Sequence, residues 1–582
     1  MSSKQRCPLC NSYSKHIKSI PNAGKGYTHC CKKCERVAAL IVENYPYNRS
    51  WFKSDISIEA LLHYKHWQMP IPLDNCKIND QETARDFVQA TYQTLVDKLI
   101  TEIKLFSTLD LLTYLGRFYD HISNLMRIPE KTKNLLEVSQ FTSEGMLVQR
   151  LYQLRDLVLL LQKFVIYAGV RTNKQEPNLD SILDLIAITD NVHYIASIDD
   201  GLYYLEDWMG IFVVDRMVYP INEEMGIPQS VDTDDLETLM TSMNNERIEG
   251  YKKLPAYYEE FYKQIFKLDK VLESFVGFTA TEIFTALLFL SDFANKYNGT
   301  FIATLDEYYS LLVKALGSVK SRNLQSLGHY LLLETMNTVP KPYEISQSFY
   351  SPIYHIPIGN YSVVILNKNI IDNSRTAFFH NLTYGSHPFL TKDKNCRRTY
   401  DKLKQKYITT PFEEDVGKCF EDFGWKVFLN IDGGIRINNK VVAIVPKTVG
   451  EIDFIATDPL KKILFIGDCK YLYDYGSVAK ELRTLQQKFF DPKKGYFAQV
   501  TRKYEWVLTE LDAFKNMLGI KQNEDDLLIA PLIITRNKIS ALRNDRVILF
   551  SFHDLNNLLN SNNYYALTIE LTKKFDAGSY TT

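Results

Sequence analysis

Residues 461–472, KKILFIGDCKYL, decide how the last third of this chain folds. Ile463 to Ile466 form an apolar run that ends in Gly467, and Asp468-Cys469-Lys470 follow at once. Such a run reads as a buried β-strand. Residues two apart in a strand share a face, so Asp468 and Lys470 project together while Cys469 points the other way. An acid and an amine side by side at the end of a buried strand need a reason. One reason is chemical: the carboxylate holds a divalent cation, and the lysine orients or activates an attacking water.

Just upstream, VGEIDFIATD (449–458) sets Asp453 between Ile452 and Phe454, an acid inside an apolar strand. Asp458-Pro459 and Lys461-Lys462 then form a turn, which makes the two strands a hairpin. A hairpin can bring Asp453 and Asp468 to one end of the sheet, within reach of one hard cation with oxygen ligands. Further upstream, FEEDVGKCFEDFGWKVFLN (412–430) reads as a helix over about 411–423 followed by a strand over 425–430. The rest of the order is a hairpin through Asp432-Gly433-Gly434, strands at 451–457 and 462–468, helices at 477–490 and 496–517, a strand in LLIAPLIITRN (527–537) and a short segment RVILFSF (546–552). A mixed sheet flanked by helices, α/β or α+β, is the expected outcome.

Asp453 and, after fourteen intervening residues, Asp468-x-Lys470 resemble the signature of the PD-(D/E)XK nuclease superfamily. The helix glutamate Glu413, followed by Gly424 and a strand, is similar to the restriction-endonuclease-like members; Glu414 is the alternative if the register is off by one. The residue before Asp453 is Ile452 where the family pattern has proline. The resemblance covers roughly 411–550. It implies hydrolysis of phosphodiester bonds, with Mg²⁺ or Mn²⁺ on Asp453, Asp468 and the Cys469 carbonyl. Glu413, Asp453, Asp468 and Lys470 are then the catalytic set. Lys470 takes an orienting and electrostatic role, because the neighbouring Asp468 tends to raise its pKa. The family pattern often adds a Gln or Lys from the following helix, for which Gln486, Gln487 or Lys480 are candidates. DNA is the implied substrate over RNA, and a restriction, antiviral defence or mobile-element role would suit. The competing readings are an inert nuclease fold in a nucleic-acid-binding or assembly protein, and a regulatory subunit targeted by a partner.

At the other end, Cys7-Pro-Leu-Cys10 and Cys31-Lys-Lys-Cys34 are two C-x-x-C knuckles separated by twenty residues. That spacing is close to a structural zinc site, and four thiolates close a tetrahedral Zn²⁺ with no open position. Cys30 in place of Cys31 is the main alternative, and His16 or His29 as ligand is another. Lys4, Arg6, Lys15, Lys18, Lys25, Lys32, Lys33 and Arg36 face one acid, Glu35, so this expected ribbon suits phosphate contact or a protein partner. A second basic run, Lys392, Lys394, Arg397, Arg398, Lys402, Lys404 and Lys406, precedes the Glu413 helix. It reads either as a track for a phosphate backbone or as a solvated linker.

The chain of 582 residues has room for three to five domains. We divide it into a zinc ribbon (1–40), a connecting segment (41–80), a helical region (81–340), a β-rich lead-in (341–410) and the nuclease-like domain (411–582). The helical reading rests on Leu147, Leu151, Leu154, Val158, Leu161 and Val165, an apolar stripe on one face. It also rests on two capping boxes, Thr279-x-x-Glu282 and Thr304-x-x-Glu307. In the lead-in, YEISQSF, PIYHIPI and YSVVILN read as strands. Lys+Arg (68) and Asp+Glu (69) nearly cancel, so any case for nucleic acid must be local. No apolar run approaches the roughly 18–20 residues of a membrane span, and the N-terminus has no signal-peptide core. The expected location is the cytosol, with no membrane partner. Five of the nine cysteines fall in the first 34 residues, which reads as metal binding and not as a disulfide scaffold.

Overall fold

The computed structural model describes residues 5–6, 13–14, 17–22, 26–32, 69–127, 144–171, 175, 177–204, 208–222, 256–297, 299–317, 321–334, 336–340, 349–358, 361–385, 387–433, 435–437, 440–460, 462–471, 487–519, 527–536 and 546–561. It is a mixed helix-and-sheet protein with two compact units. One comprises Met1–Leu254, Ile265–Leu382 and Ser386–Cys396; the other comprises Pro255–Gln264, Thr383–Gly385 and Arg397–Thr582. No single helix among the described residues is long and apolar enough to cross a membrane.

The first unit is more mixed than its periodicity predicts. Helices Gln81–Ile103, Thr108–Arg127, Glu144–Tyr167 and Leu179–Tyr204 share an apolar core. The expected stripe from Leu147 to Val165 lies in the third of these, but Leu157, Leu159 and Leu160 are buried as well, so this helix is enclosed on most sides. Both capping boxes form, at the starts of Ala280–Asn295 and Leu305–Leu316. Two sheets interrupt the region expected to be helical. One pairs Cys76–Ile78, Trp208–Val214 and Met217–Asn222. The other joins Thr300–Thr304 and Leu332–Leu333 to the expected strands Ile353–Ile358 and Tyr361–Asn367. The β-rich reading fails beyond Asn367, where Lys368–Tyr384, Pro388–Lys392 and Lys394–Lys404 are helical. YEISQSF lies almost wholly outside the described residues.

The second unit contains most of helix α1 (Lys394–Lys404), a π-helical turn (Gln405–Thr409) and helix α2 (Thr410–Asp422). Strands β1 (Lys426–Ile431), β2 (Ile435–Ile437), β3 (Lys440–Ala443), β4 (Ile452–Thr457) and β5 (Ile463–Lys470) follow. Helices α3 (Tyr496–Thr509) and α4 (Leu511–Leu518), strands β6 (Leu528–Thr535) and β7 (Ile548–Ser551) and helix α5 (Phe552–Ser561) come next, and most of the helix Ala256–Ile265 also belongs to this unit. The central sheet runs β1-β4-β5-β6-β7, antiparallel across the first two junctions and parallel across the last two. Two expectations change. Strand β1 pairs with β4 and not through the Asp432-Gly433-Gly434 turn, since β2 and β3 make a small hairpin of their own. The helix expected over 496–517 breaks in two at Glu510.

Strand alternation assigns the two faces of the sheet. Phe454 and Phe465 project towards α2, where Phe420 packs on both and Trp425 stacks on Phe465. Ile455, Leu464 and Ile466 project the other way into a core with Tyr504, Trp506 and Val507 of α3 and Phe514 of α4. At the β4–β5 turn the buried Asp458 carboxylate accepts the backbone N–H groups of Leu460, Lys462 and Ile463 at 3.2, 2.6 and 2.7 Å. That turn fixes the hairpin register, Phe454 opposite Gly467.

Gly467 is required by contact. A Cβ there would stand 2.3 Å from the Phe454 ring and 2.4 Å from the Leu532 carbonyl oxygen of the adjacent parallel strand. Backbone on one side cannot give way. Gly467→Ala is expected to destabilise this unit by about 1–3 kcal/mol, the usual cost of overpacking. The check is the urea midpoint read by the fluorescence of Trp425 and Trp506; an unchanged midpoint would refute the close-packing argument.

Candidate functional site

The β4–β5 ladder ends at the acidic residues. Its last pair is Phe454 and Gly467, whereas β5 continues to pair with β6 as far as Lys470 and Thr535. Beyond that last pair, the Asp453 carboxylate accepts the Cys469 N–H at 2.8 Å. In a strand the N–H and C=O of one residue point to the same side, so the Cys469 carbonyl is also directed towards Asp453. The hairpin therefore brings Asp453, Asp468 and the Cys469 main chain together, as the sequence predicts.

Asp468 is fully buried, and both of its oxygens are taken by cations. Lys470 Nζ lies 3.0 Å from Oδ2, and Lys503 Nζ of α3 donates to Oδ1. Lys470 Nζ also lies 3.8 Å from Asp453 and 5.4 Å from the centre of the Tyr496 ring. Burial opposes charge on Asp468, but the two ammoniums beside it outweigh burial and hold its pKa below the ordinary value. Burial would likewise strip Lys470 of its proton, and Asp468 with Asp453 more than reverses this, so Lys470 stays an ammonium. Asp453 is pushed up, by burial first and by the Asp468 charge second. The Cys469 thiol points away from this face, and burial with the Asp453, Glu413 and Asp468 charges raises its pKa well above the ordinary value. It is no nucleophile.

Glu413 comes from the first turn of α2 and is 5 % exposed, while Glu414 is exposed. The π turn decides between them. Cys396, Tyr400 and Leu403 are the buried positions of α1, and α-helical spacing would carry that face through 407 to 414. The π turn adds one residue, so Ile408, Phe412, Glu413 and Val416 turn inwards instead. Pro411 supplies the physical reason: it has no N–H for the turn before it, and its ring crowds the carbonyl four residues back. Burial, then the charges of Asp453 and Glu451, push Glu413 up to about 8, against a partial offset from Lys470.

Lys503 escapes the sequence reading. It lies in the stripe Phe497, Val500, Lys503, Tyr504, Val507 by which α3 meets the sheet, where a lysine is out of place unless an acid waits beneath it. That break in periodicity is the signal that could have found it. Of the residues expected in its place, Gln487 is exposed, and Lys480 and Gln486 lie outside the described residues.

The oxygen chemistry of Asp453, Asp468 and the Cys469 carbonyl fits a hard divalent cation. Three acids, Glu413, Asp453 and Asp468, face two lysines here, so ionising all three would leave the cluster with an excess of negative charge. Among the described residues no group of three or more His, Cys, Asp or Glu side chains is set to hold a metal ion; the expected set has two such side chains and a main-chain carbonyl. No family model, curated protein or solved structure matches the chain. At the N-terminus the described residues form two antiparallel hairpins, Gln5–Arg6 with Tyr13–Ser14 and Ile17–Asn22 with Gly26–Cys31. Cys30 and Cys31 are the last two residues of the final strand, while Cys7, Cys10, Cys34 and His16 lie outside the described residues.

The Glu413 shift predicts a pH dependence. Its folded-state value, about 8, lies above the ordinary 4.5, so the folded chain holds this proton more tightly than the unfolded chain does. Its contribution to stability is therefore complete at low pH and is lost as pH rises from about 4.5 through about 8. Without added divalent metal, the urea midpoint should fall over this window, and Glu413→Gln should make the fall shallower. Identical profiles for the two proteins would remove Glu413 from the buried acidic cluster.

Proposed function

We propose that the C-terminal unit is a metal-dependent nuclease of the PD-(D/E)XK type, acting on DNA in preference to RNA. The observation that carries this reading is the meeting of Asp453, Asp468, Lys470 and the Cys469 main chain where β4 and β5 stop pairing. Asp453, Asp468 and the Cys469 carbonyl would hold Mg²⁺ or Mn²⁺. When bound, the metal supplies Lewis acidity and lowers the pKa of a coordinated water. The chain's own residues do the rest. Lys470, kept protonated by its two acids, can bind and orient a phosphoryl oxygen and stabilise the charge that develops there, but it is not a base in this arrangement. Lys503 neutralises the inner oxygen of Asp468 and fixes the orientation of that carboxylate. Glu413, with its raised pKa, can hold or accept a proton near neutral pH. We also propose a structural Zn²⁺ on Cys7, Cys10, Cys31 and Cys34, serving contact with nucleic acid or a protein partner.

One observation favours a second reading. Both oxygens of Asp468 already have an ammonium beside them, Lys470 and Lys503, which is also what a structural ion cluster in an inert fold needs. Cleavage assays separate the two. Supercoiled and linear DNA, single-stranded DNA and RNA are each incubated with the full chain. Mg²⁺ and Mn²⁺ should support cutting, and Ca²⁺ and EDTA should not. Asp453→Asn should lower the rate by at least about a hundredfold, an effect of about 2.7 kcal/mol. Removing the Asp468 charge alone would strand Lys503 as a buried cation, at a cost of about 3–5 kcal/mol. The informative variant is therefore Asp468→Asn with Lys503→Met, which should fold and not cut. Full activity in either variant would end the assignment. A folded wild-type chain that cuts nothing would favour the inert cluster.

Zinc has its own assay. One Zn²⁺ per chain is expected by metal analysis, and Cys7→Ser with Cys10→Ser should abolish it while cleavage at saturating substrate survives. Full zinc content in that variant would exclude the four-cysteine site.

A further inference from the structure

The basic run ahead of the Glu413 helix is not a linker. Between Lys394 and Lys406 there are six basic residues and one acid, Asp401, which pairs with Arg397 at 3.1 Å. The segment is helical through α1 and the π turn directly into α2. Its inner face is Tyr400, Leu403 and Ile408, all buried, and Arg397, Arg398, Lys402 and Lys406 are exposed. An exposed helix stabilised by itself interleaves acids with its bases at i,i+4 spacing. This one leaves cations unbalanced instead. At its inner edge Lys404 Nζ stands 5.6 Å from the centre of the Tyr471 ring, and Tyr471 directly follows Lys470 in the chain. The helix that carries the strip therefore lies, by its inner edge, beside the end of the strand that bears Lys470.

We propose that the outer face of α1 and the π turn, through Arg398, Lys402 and Lys406, binds the sugar-phosphate backbone of the nucleic acid whose phosphodiester meets Asp453, Asp468 and Lys470. The inference rests on the nuclease reading for the position of the scissile bond. Charge and spacing carry the rest. Lys406 is eight positions beyond Arg398, and at about 1.5 Å per residue the strip is about 12 Å long. A duplex strand rises about 3.4 Å per nucleotide along the axis, and because its backbone also winds about that axis, successive phosphates lie farther apart, so the strip meets about two to three of them. An acidic polypeptide could match the charge but not the adjacency to a phosphodiester site.

The test measures binding apart from cleavage. Full-length protein carrying Asp453→Asn is titrated, in EDTA, against fluorescent duplex DNA, single-stranded DNA, RNA and poly-glutamate at several salt concentrations. Adding Arg398→Gln, Lys402→Gln and Lys406→Gln should weaken nucleic-acid binding at least about tenfold near 0.1 M salt. It should also reduce the slope of log K against log salt by about two to three units, close to one per lost contact. Arg398→Lys, Lys402→Arg and Lys406→Arg should restore both, which separates charge from folding. The ranking of DNA and RNA arms names the substrate. Unchanged affinity and slope would overturn the proposal, and so would strip-dependent binding of poly-glutamate with strip-independent binding of nucleic acid. If binding depends on the strip but the wild type cuts nothing, the nuclease reading falls and the backbone-binding surface stands. If the wild type cuts and the triple glutamine variant binds and cuts as well as it does, the surface falls and the nuclease stands.

Discussion

A carboxylate with no access to water, held by two ammoniums from different elements, is the constraint on which the second unit depends. Isolated, a buried Asp468 would cost several kcal/mol or take up a proton. It remains ionised because Lys470 reaches it from its own strand and Lys503 reaches down from α3. This ties the register of α3 to that of β5. Sliding the helix so that Tyr504 replaced Lys503 over the acid would leave a buried charge short of its cation. Apolar packing of Tyr504 and Val507 on Ile455, Leu464 and Ile466 supplies the attraction between helix and sheet. The ion triad supplies its exact alignment, because apolar contact is non-directional.

The same arithmetic connects fold to chemistry. Two lysines outweigh burial at Asp468, but at Asp453 and Glu413 burial first, then the neighbouring acid charges, outweighs what the lysines supply, so those two acids are pushed up while Asp468 is pulled down. A cluster in that condition gains from a proton or a further cation. The parting of β4 and β5 sets where such a cation would find oxygen. Asp453 takes the Cys469 N–H that a continued ladder would have used, and the two strands no longer pair beyond it. Gly467 makes this possible from below, since it lets Phe454 lie flat against the sheet immediately before the ladder ends.

Much of this was legible in the sequence, because the hairpin is a local structure. An apolar run, an Asp-Pro turn and an acid at each end of the pair determine strand type, register and face without reference to anything distant. The shared face of Asp468 and Lys470 and the opposite face of Cys469 follow from alternation, and the turn brings Asp453 to the same end. What escaped depended on contacts remote in sequence or on irregular backbone. Lys503 lies thirty-odd positions beyond Lys470 on a helix whose sheet-facing stripe is otherwise apolar, and only its partner explains it. Glu413, with Glu414 as the alternative, came from the resemblance and not from periodicity, since the choice turns on one residue added by a π turn that regular helical spacing cannot register. The helical state of 394–404 was hidden for a similar reason: its charge density reads as solvated chain until the buried Tyr400 and Leu403 are set at helical spacing. In the first unit, strands such as Thr300–Thr304 lie between strong helices and are too short to show a period of their own.

The two lysines on Asp468 are not equivalent, and their difference bears on how the proposed site would work. Lys503 retains 6 % side-chain exposure and Lys470 retains 18 %. Lys503, carried by α3, pairs with Asp468, so moving it would leave the Oδ1 oxygen of a buried carboxylate without its cation. Lys470 shares itself between Asp468 and Asp453 at 3.0 and 3.8 Å and rests against the Tyr496 ring. A cation bound by the two acids would relieve Lys470 of that shared duty while Lys503 kept the inner oxygen neutral. Lys470 is then the cation able to turn towards a phosphate, and it can do so without loss of charge balance at Asp468. On the proposed reading, Lys503 belongs to the scaffold of the carboxylate and Lys470 to the substrate. The strand that carries Lys470 begins in a register set by Asp458 and ends under a helix aligned by Lys503, so its position is fixed from both ends.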